Sequence, residues 1–283
     1  MRRLMRKISV ACILTAWTTP VVAQDNATLK TRMGESLTKT PGFEFPADRD
    51  ELDKALDSNN YVLLRDREKE LRKEKDVLLW MNWLVYRQRT GGGYLVAKLY
   101  TSALWTLGES LERAGRSDGP LLKRSAVTEA SYALAVSIVD SAQCGDPTAP
   151  SNRTQETLNQ LRPIFLYGQG LPDETRQRLI AGVLNLERVV APLRENDDAL
   201  CRGGMAETLD ALQAMEKAGK KPEARTVPGY YGKTVDVPVD GSYRPQFIPT
   251  SAWHPRRDQA RETLQEVITN VLTPAAAANP NPQ

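Results

Sequence analysis

Apolar residues recur at three- and four-residue intervals over most of the stretch from 49 to 272, and that period confines the chain to helices packed on helices. The clearest case is 94–114, where apolar residues fall at 96, 99/100, 103/104, 107 and 111 before Gly115 stops the run. Residues 121–142 are rich in Ala and Val on nearly every side, the pattern of a central buried helix, and Gly145-Asp146-Pro147 breaks them just after Cys144. Farther on, Asn152 is placed to cap a helix that bends at Pro163, and Pro172 starts another. Met205, Leu209, Leu212 and Met215 stripe a further helix closed by Gly219, and 256–272 resumes the period.

Nearer the N-terminus, 49–58 reads as a short helix and Tyr61 opens a long one. Its first part, 65–76, is charged at every position except Leu71, with neighbours such as Glu68 and Arg72 at helical spacing, as on a solvated face. Its continuation, 77–86, is almost wholly apolar, with Trp80, Trp83 and Tyr86 spaced by three, until Gly91-Gly92-Gly93 ends it. The expected fold is therefore all-α, a helical bundle or short helix-hairpin stack forming one domain over 49–272. Before it, 24–48 is polar, carries Pro41 and Pro46, and reads as a loose lead-in; after it, 273–283 reads as a disordered tail.

One segment departs from the helical pattern. Between 221 and 255 prolines stand at 222, 228, 238, 245, 249 and 255, interleaved with Tyr230, Tyr231, Tyr243, Phe247 and Trp253. This composition predicts an extended arm laid over the bundle, with 235–239 and 243–248 paired around Asp240-Gly241 as an edge-type hairpin.

Residues 1–23 order four basic residues (Arg2, Arg3, Arg6, Lys7), an apolar run over 8–17, and Val21-Val22-Ala23. That is the sequence of features in a secretory signal peptide cut after Ala23, and the run is shorter than the roughly 20 residues that span a bilayer. The cut changes the charge balance. Of 38 basic residues 34 remain, against 35 acidic ones, so the mature net charge is −1 and no global field is left to hold nucleic acid.

Cleavage also removes Cys12, leaving Cys144 and Cys201 as an even pair in an oxidising compartment, which reads as a structural disulfide. Closing that loop contributes about 4 kcal/mol on the chain-entropy account. With one His and two Cys, the mature chain lacks the ligands of a His/Cys zinc site, a paired-His haem or a thiolate-held cluster, and no cofactor or metal is expected.

Catalytic patterns are present but lack their context. Ser36-Leu37-Thr38-Lys39 has the spacing of a serine nucleophile with its lysine, yet no S-D-N or K-T-G element accompanies it. Tyr94 and Lys98 have a dehydrogenase spacing without a preceding strand or glycine fingerprint. His254, the single histidine, has no nucleophile elbow to serve and reads as a helix-start surface residue. Glu109, Glu112 and Glu129 supply carboxylates near apolar faces, the minimum for a hydrolase of glycans or peptides.

The remaining functional feature is aromatic. Trp80, Trp83 and Tyr86 on the helices, with Tyr230, Tyr231 and Tyr243 in the arm, are candidates to line a groove for a peptide, a glycan strand or a partner helix. The functional expectation is an exported protein, periplasmic or secreted, acting by non-enzymatic binding or scaffolding in the cell envelope. A carboxylate-dependent envelope hydrolase is the alternative, and a host-exposed secreted protein with its own partner a third. Neither nucleic acid nor a stable membrane span is expected after cleavage.

Overall fold

The computed structural model describes residues 26–71, 73–194, 196–221, 224–226, 233–235 and 243–274. Among them run twelve α-helices: α1 (Asn26–Thr38), α2 (Arg49–Asp57), α3 (Tyr61–Glu70), α4 (Glu74–Arg89), α5 (Tyr94–Arg113), α6 (Gly119–Val139), α7 (Thr148–Gln160), α8 (Arg162–Gln169), α9 (Asp173–Val190), α10 (Asp198–Cys201), α11 (Met205–Lys217) and α12 (Thr250–Leu272). Two three-residue strands, β1 (Ala224–Thr226) and β2 (Lys233–Val235), pair antiparallel between α11 and α12. The fold is all-α. The leader at 1–23 and most of the tail at 273–283 lie outside the described residues.

Helix α6 is the centre, touching α5, α7, α8, α9 and α12. Its Ala126, Ala130, Ala133 and Ala135 are fully buried, and such short side chains let five neighbours approach one helix. The closest approach is to α5, with which α6 forms a hairpin. A Cβ at Gly119 would lie 2.6 Å from the backbone nitrogen of Glu112, and one at Gly108 would lie 2.9 Å from Lys123 Cγ. These glycines set the helix spacing.

Charged side chains also hold the bundle from within. Arg194, in the turn after α9, donates to Asp140 at 2.5 and 3.1 Å and to Glu187 at 2.7 Å. From α12, Arg257 reaches Asp140 at 2.9 Å and Arg261 reaches Glu187 at 3.0 Å. Burial alone would raise the Glu187 carboxyl, but Arg261 and Arg194 outweigh it and hold the pKa below the usual value. Paired in this way, the buried charges tie the end of α6, α9 and α12 together.

Four expectations for the helices are corrected. The lead-in contains α1, whose Gly34 packs against the Tyr86 ring. The long helix from Tyr61 is two, because Leu71, the apolar residue inside the charged run, adopts an extended backbone and packs against the core. The expected bend at Pro163 is a break at Leu161, with Pro163 in the first turn of α8, where its missing N–H costs nothing. Asn152 sits inside α7 and donates to the Gly203 carbonyl, while Asp146 accepts from the Thr148 N–H at the true helix start.

The arm is placed differently from the expected hairpin. The strand pairing is Ala224 with Val235 through Thr226 with Lys233, whereas 236–242, the expected turn region, lies outside the described residues. The segment 246–248 pairs instead beside Cys144: the Gly145 N–H donates to the Gln246 carbonyl at 2.7 Å and the Ile248 N–H to the Gln143 carbonyl at 2.8 Å. Cys144 and Cys201 are disulfide-bonded and buried, with Cα atoms 5.2 Å apart.

Candidate binding groove

Trp80 and Trp83, expected as groove residues, are 1% and 0% exposed and stack on each other with ring centroids 4.9 Å apart. Trp83 donates its indole N–H to Asp53 at 2.8 Å. Tyr86 is half-buried and meets Phe45 edge-on at 5.1 Å, with the Arg49 guanidinium over the Phe45 ring. All three serve packing. Tyr243 lies near the Arg202 guanidinium, 5.9 Å from its ring centre, and Tyr230 and Tyr231 lie outside the described residues. The structure therefore brings the two tryptophans together in the core and gathers no aromatic groove among the described residues.

Other candidates also find structural roles. Ser36 and Lys39 stand exposed on and just after α1, with Lys39 paired to Glu35 at 2.8 Å. The Tyr94 hydroxyl is bonded to Arg153 and Thr157 in the interior, and Lys98 pairs with Glu156 at 3.0 Å. His254 is exposed at the start of α12 beside the Trp253 ring. Among the carboxylates, Glu112 pairs with Lys123 across the α5–α6 hairpin. Glu129 is buried and accepts from the Gln88 amide, and its burial pushes the pKa up against the pull of Arg89.

One further carboxyl is displaced upward. Asp197 precedes α10 and accepts from the Leu200 N–H at 3.1 Å and from the Tyr94 N–H at 2.5 Å, so one side chain caps two helices. Burial pushes it up to about 6 despite these donors. Its oxygens are spent on helix starts.

The concave surface lies elsewhere. By their contacts α4, α5, α6 and α9 follow one another as a layer, and side chains from all four line one concavity. The resulting groove has a volume of about 780 Å³. Its floor is Leu107 and Leu111 from α5 with Leu122 from α6, and Leu121 lies above them; Leu78 and Met81 of α4 line one side and Leu179 of α9 the other. Leu121 remains 53% exposed. An open, leucine-rich concavity of this kind is the ordinary form of a site for an apolar guest.

The rim is charged unevenly. At one place Glu74 and Asp118 both meet the guanidinium of Arg116, at 3.1 and 2.6 Å. On the α6–α9 side stand Arg124, which makes no ion pair among the described residues, and Arg178, whose 70%-exposed side chain lies 3.8 Å from Glu174. No aromatic ring lines the groove, so it offers no face for sugar stacking.

The sequence carried a signal for this site. Residues 107 and 111 lie on a recognised stripe, and the adjacent pair Leu121-Leu122 makes the start of α6 apolar over a wider arc than one neighbour covers. What the sequence did not show is which helices converge on it.

Among the described residues no cluster of three or more His, Cys, Asp or Glu side chains is arranged to hold a metal ion, and no helix is long and apolar enough to cross a membrane. Compared with protein-family models, with curated proteins and with solved structures, the chain matches none of them.

Proposed function

We propose that this is an exported, non-enzymatic binding or scaffolding protein of the cell envelope, and that it works by seating an apolar helical segment of a partner in the α4–α5–α6–α9 groove. The observation that carries the reading is the groove itself, with Leu121 half open to water over a floor of further leucines. Its lining on α6, from Leu121 to Thr128, covers two helical turns, about 10 Å, the length over which a guest helix presents three anchors at i, i+4 and i+7. Export is supported by the leader-like segment at 1–23 and by the Cys144–Cys201 disulfide, which persists in oxidising compartments.

A carboxylate hydrolase finds less support, because the two acids that line the groove, Glu74 and Asp118, share the Arg116 guanidinium. The test is a titration of the oxidised protein with a fluorescently labelled, acidic amphipathic helical peptide. Saturable binding that Leu121→Asp weakens at least tenfold supports the reading. Equal binding by the variant, or none by the wild type, overturns it.

A further inference from the structure

The molecule also carries a surface of the opposite shape. Helix α11 starts from anchored backbone: the Met205 N–H donates to Thr148 Oγ1 at 2.7 Å and the Ala206 N–H to the Asp146 carboxylate at 2.8 Å. Its inner face is Glu207 and Ala211, both buried. Opposite them the helical period places Met205, Leu209 and Leu212 in one stripe, and Met205 and Leu209 are 56% and 51% exposed. Two large apolar side chains one turn apart, open to water, form a continuous patch rather than the scattered single residues of an ordinary surface.

Stripe and groove match in three respects. The stripe spans eight residues, as does the groove's α6 lining, so both are about 10 Å long. The stripe presents convex Met and Leu side chains, and the groove is concave and lined with leucine. One turn beyond Leu212 the same face carries Glu216, exposed and in no ion pair among the described residues, while the groove's α6–α9 rim carries Arg124 and Arg178. The acid on the stripe answers the bases on the rim.

We infer that the groove's occupant is the α11 stripe of a second copy of this chain, so that the protein self-associates through a contact between two different surfaces. This inference rests on the groove being a helix-binding site. Because the two surfaces differ, each copy still offers a free groove and a free stripe, and the contact builds rings or chains unless two copies exchange helices reciprocally.

The design of the test follows from that asymmetry. Leu209→Asp removes the stripe and keeps the groove, and Leu121→Asp removes the groove and keeps the stripe; both positions are exposed, and circular dichroism checks that each variant folds. Light scattering behind size exclusion should show the oxidised wild type growing in mass with concentration. Each variant alone should associate at least tenfold more weakly, while an equimolar mixture of the two should form a 1:1 dimer, since one intact groove meets one intact stripe. Glu216→Lys should weaken wild-type association.

A monomeric mixture, or a Leu209→Asp variant that associates like the wild type, overturns the inference. A wild type that stays monomeric while its groove binds the labelled acidic peptide, with binding lost in Leu121→Asp, overturns self-docking and leaves the groove reading standing. Failure of both measurements overturns both.

Discussion

Arg194 has a side chain only 1% exposed, and the acids it meets, Asp140 and Glu187, are equally enclosed. Such a cluster adds little over well-packed apolar residues, but opening it leaves carboxylates in a medium that cannot solvate them. We expect Arg194→Ala to lower unfolding stability by about 3–5 kcal/mol, read as a shift in denaturant midpoint at constant slope. Asp197 behaves oppositely with pH. Its folded pKa, about 6, lies above its ordinary value, so the folded state binds this proton more tightly than the unfolded one. The group's contribution to stability therefore increases as pH falls from above 6 towards 4, and a stability-against-pH curve for Asp197→Asn should lack that increase. Neither arrangement was legible in the sequence. Asp140 and Arg194 stand 54 residues apart on different elements, and nothing local distinguishes them from surface charges. Trp80 and Trp83 were conspicuous for the wrong reason: their spacing marks a buried face as readily as a binding one.

At the scale of the element, stripes were legible and breaks were not. The periods of 94–114 and 121–142 survive as α5 and α6 because helix and core demand the same residues there. The charged run at 65–76 promised one continuous helix, but pairs at helical spacing contribute only about 0.2–0.5 kcal/mol each, while even partial burial of a leucine contributes about 1 kcal/mol, and Leu71 packs partly buried against the core. Helix α1 escaped notice because it has few apolar residues and is seated by Gly34 on Tyr86, a contact between distant segments. The α5–α6 hairpin offers a direct check. Gly119→Ala places a methyl against the backbone of Glu112 and should lower stability by about 2 kcal/mol, whereas Gly170→Ala, whose new atom would meet nothing nearer than 3.5 Å, should stay within about 0.5 kcal/mol. Paired thermal melts decide it.

Across the whole molecule, the disulfide followed from counting cysteines, and the groove did not follow from any count. It exists because side chains of four helices converge on one concavity, a property of their arrangement that no single stripe encodes. Reducing Cys144–Cys201 should lower stability by about 4 kcal/mol, measured by denaturant unfolding with and without reductant. Helix α12 bears on how such a chain is made. It closes the bundle from the far end of the sequence, packing on α6, α8 and α9 with Leu264, Ile268 and Leu272, and it brings Arg257 and Arg261 to the acids in the interior. Until α12 has been made, Asp140 and Glu187 have only Arg194 as a buried guanidinium partner, and the apolar face of α6 that α12 covers stays open. A chain made from its N-terminus therefore cannot lock this tertiary structure until α12, the latest of the described helices, has emerged.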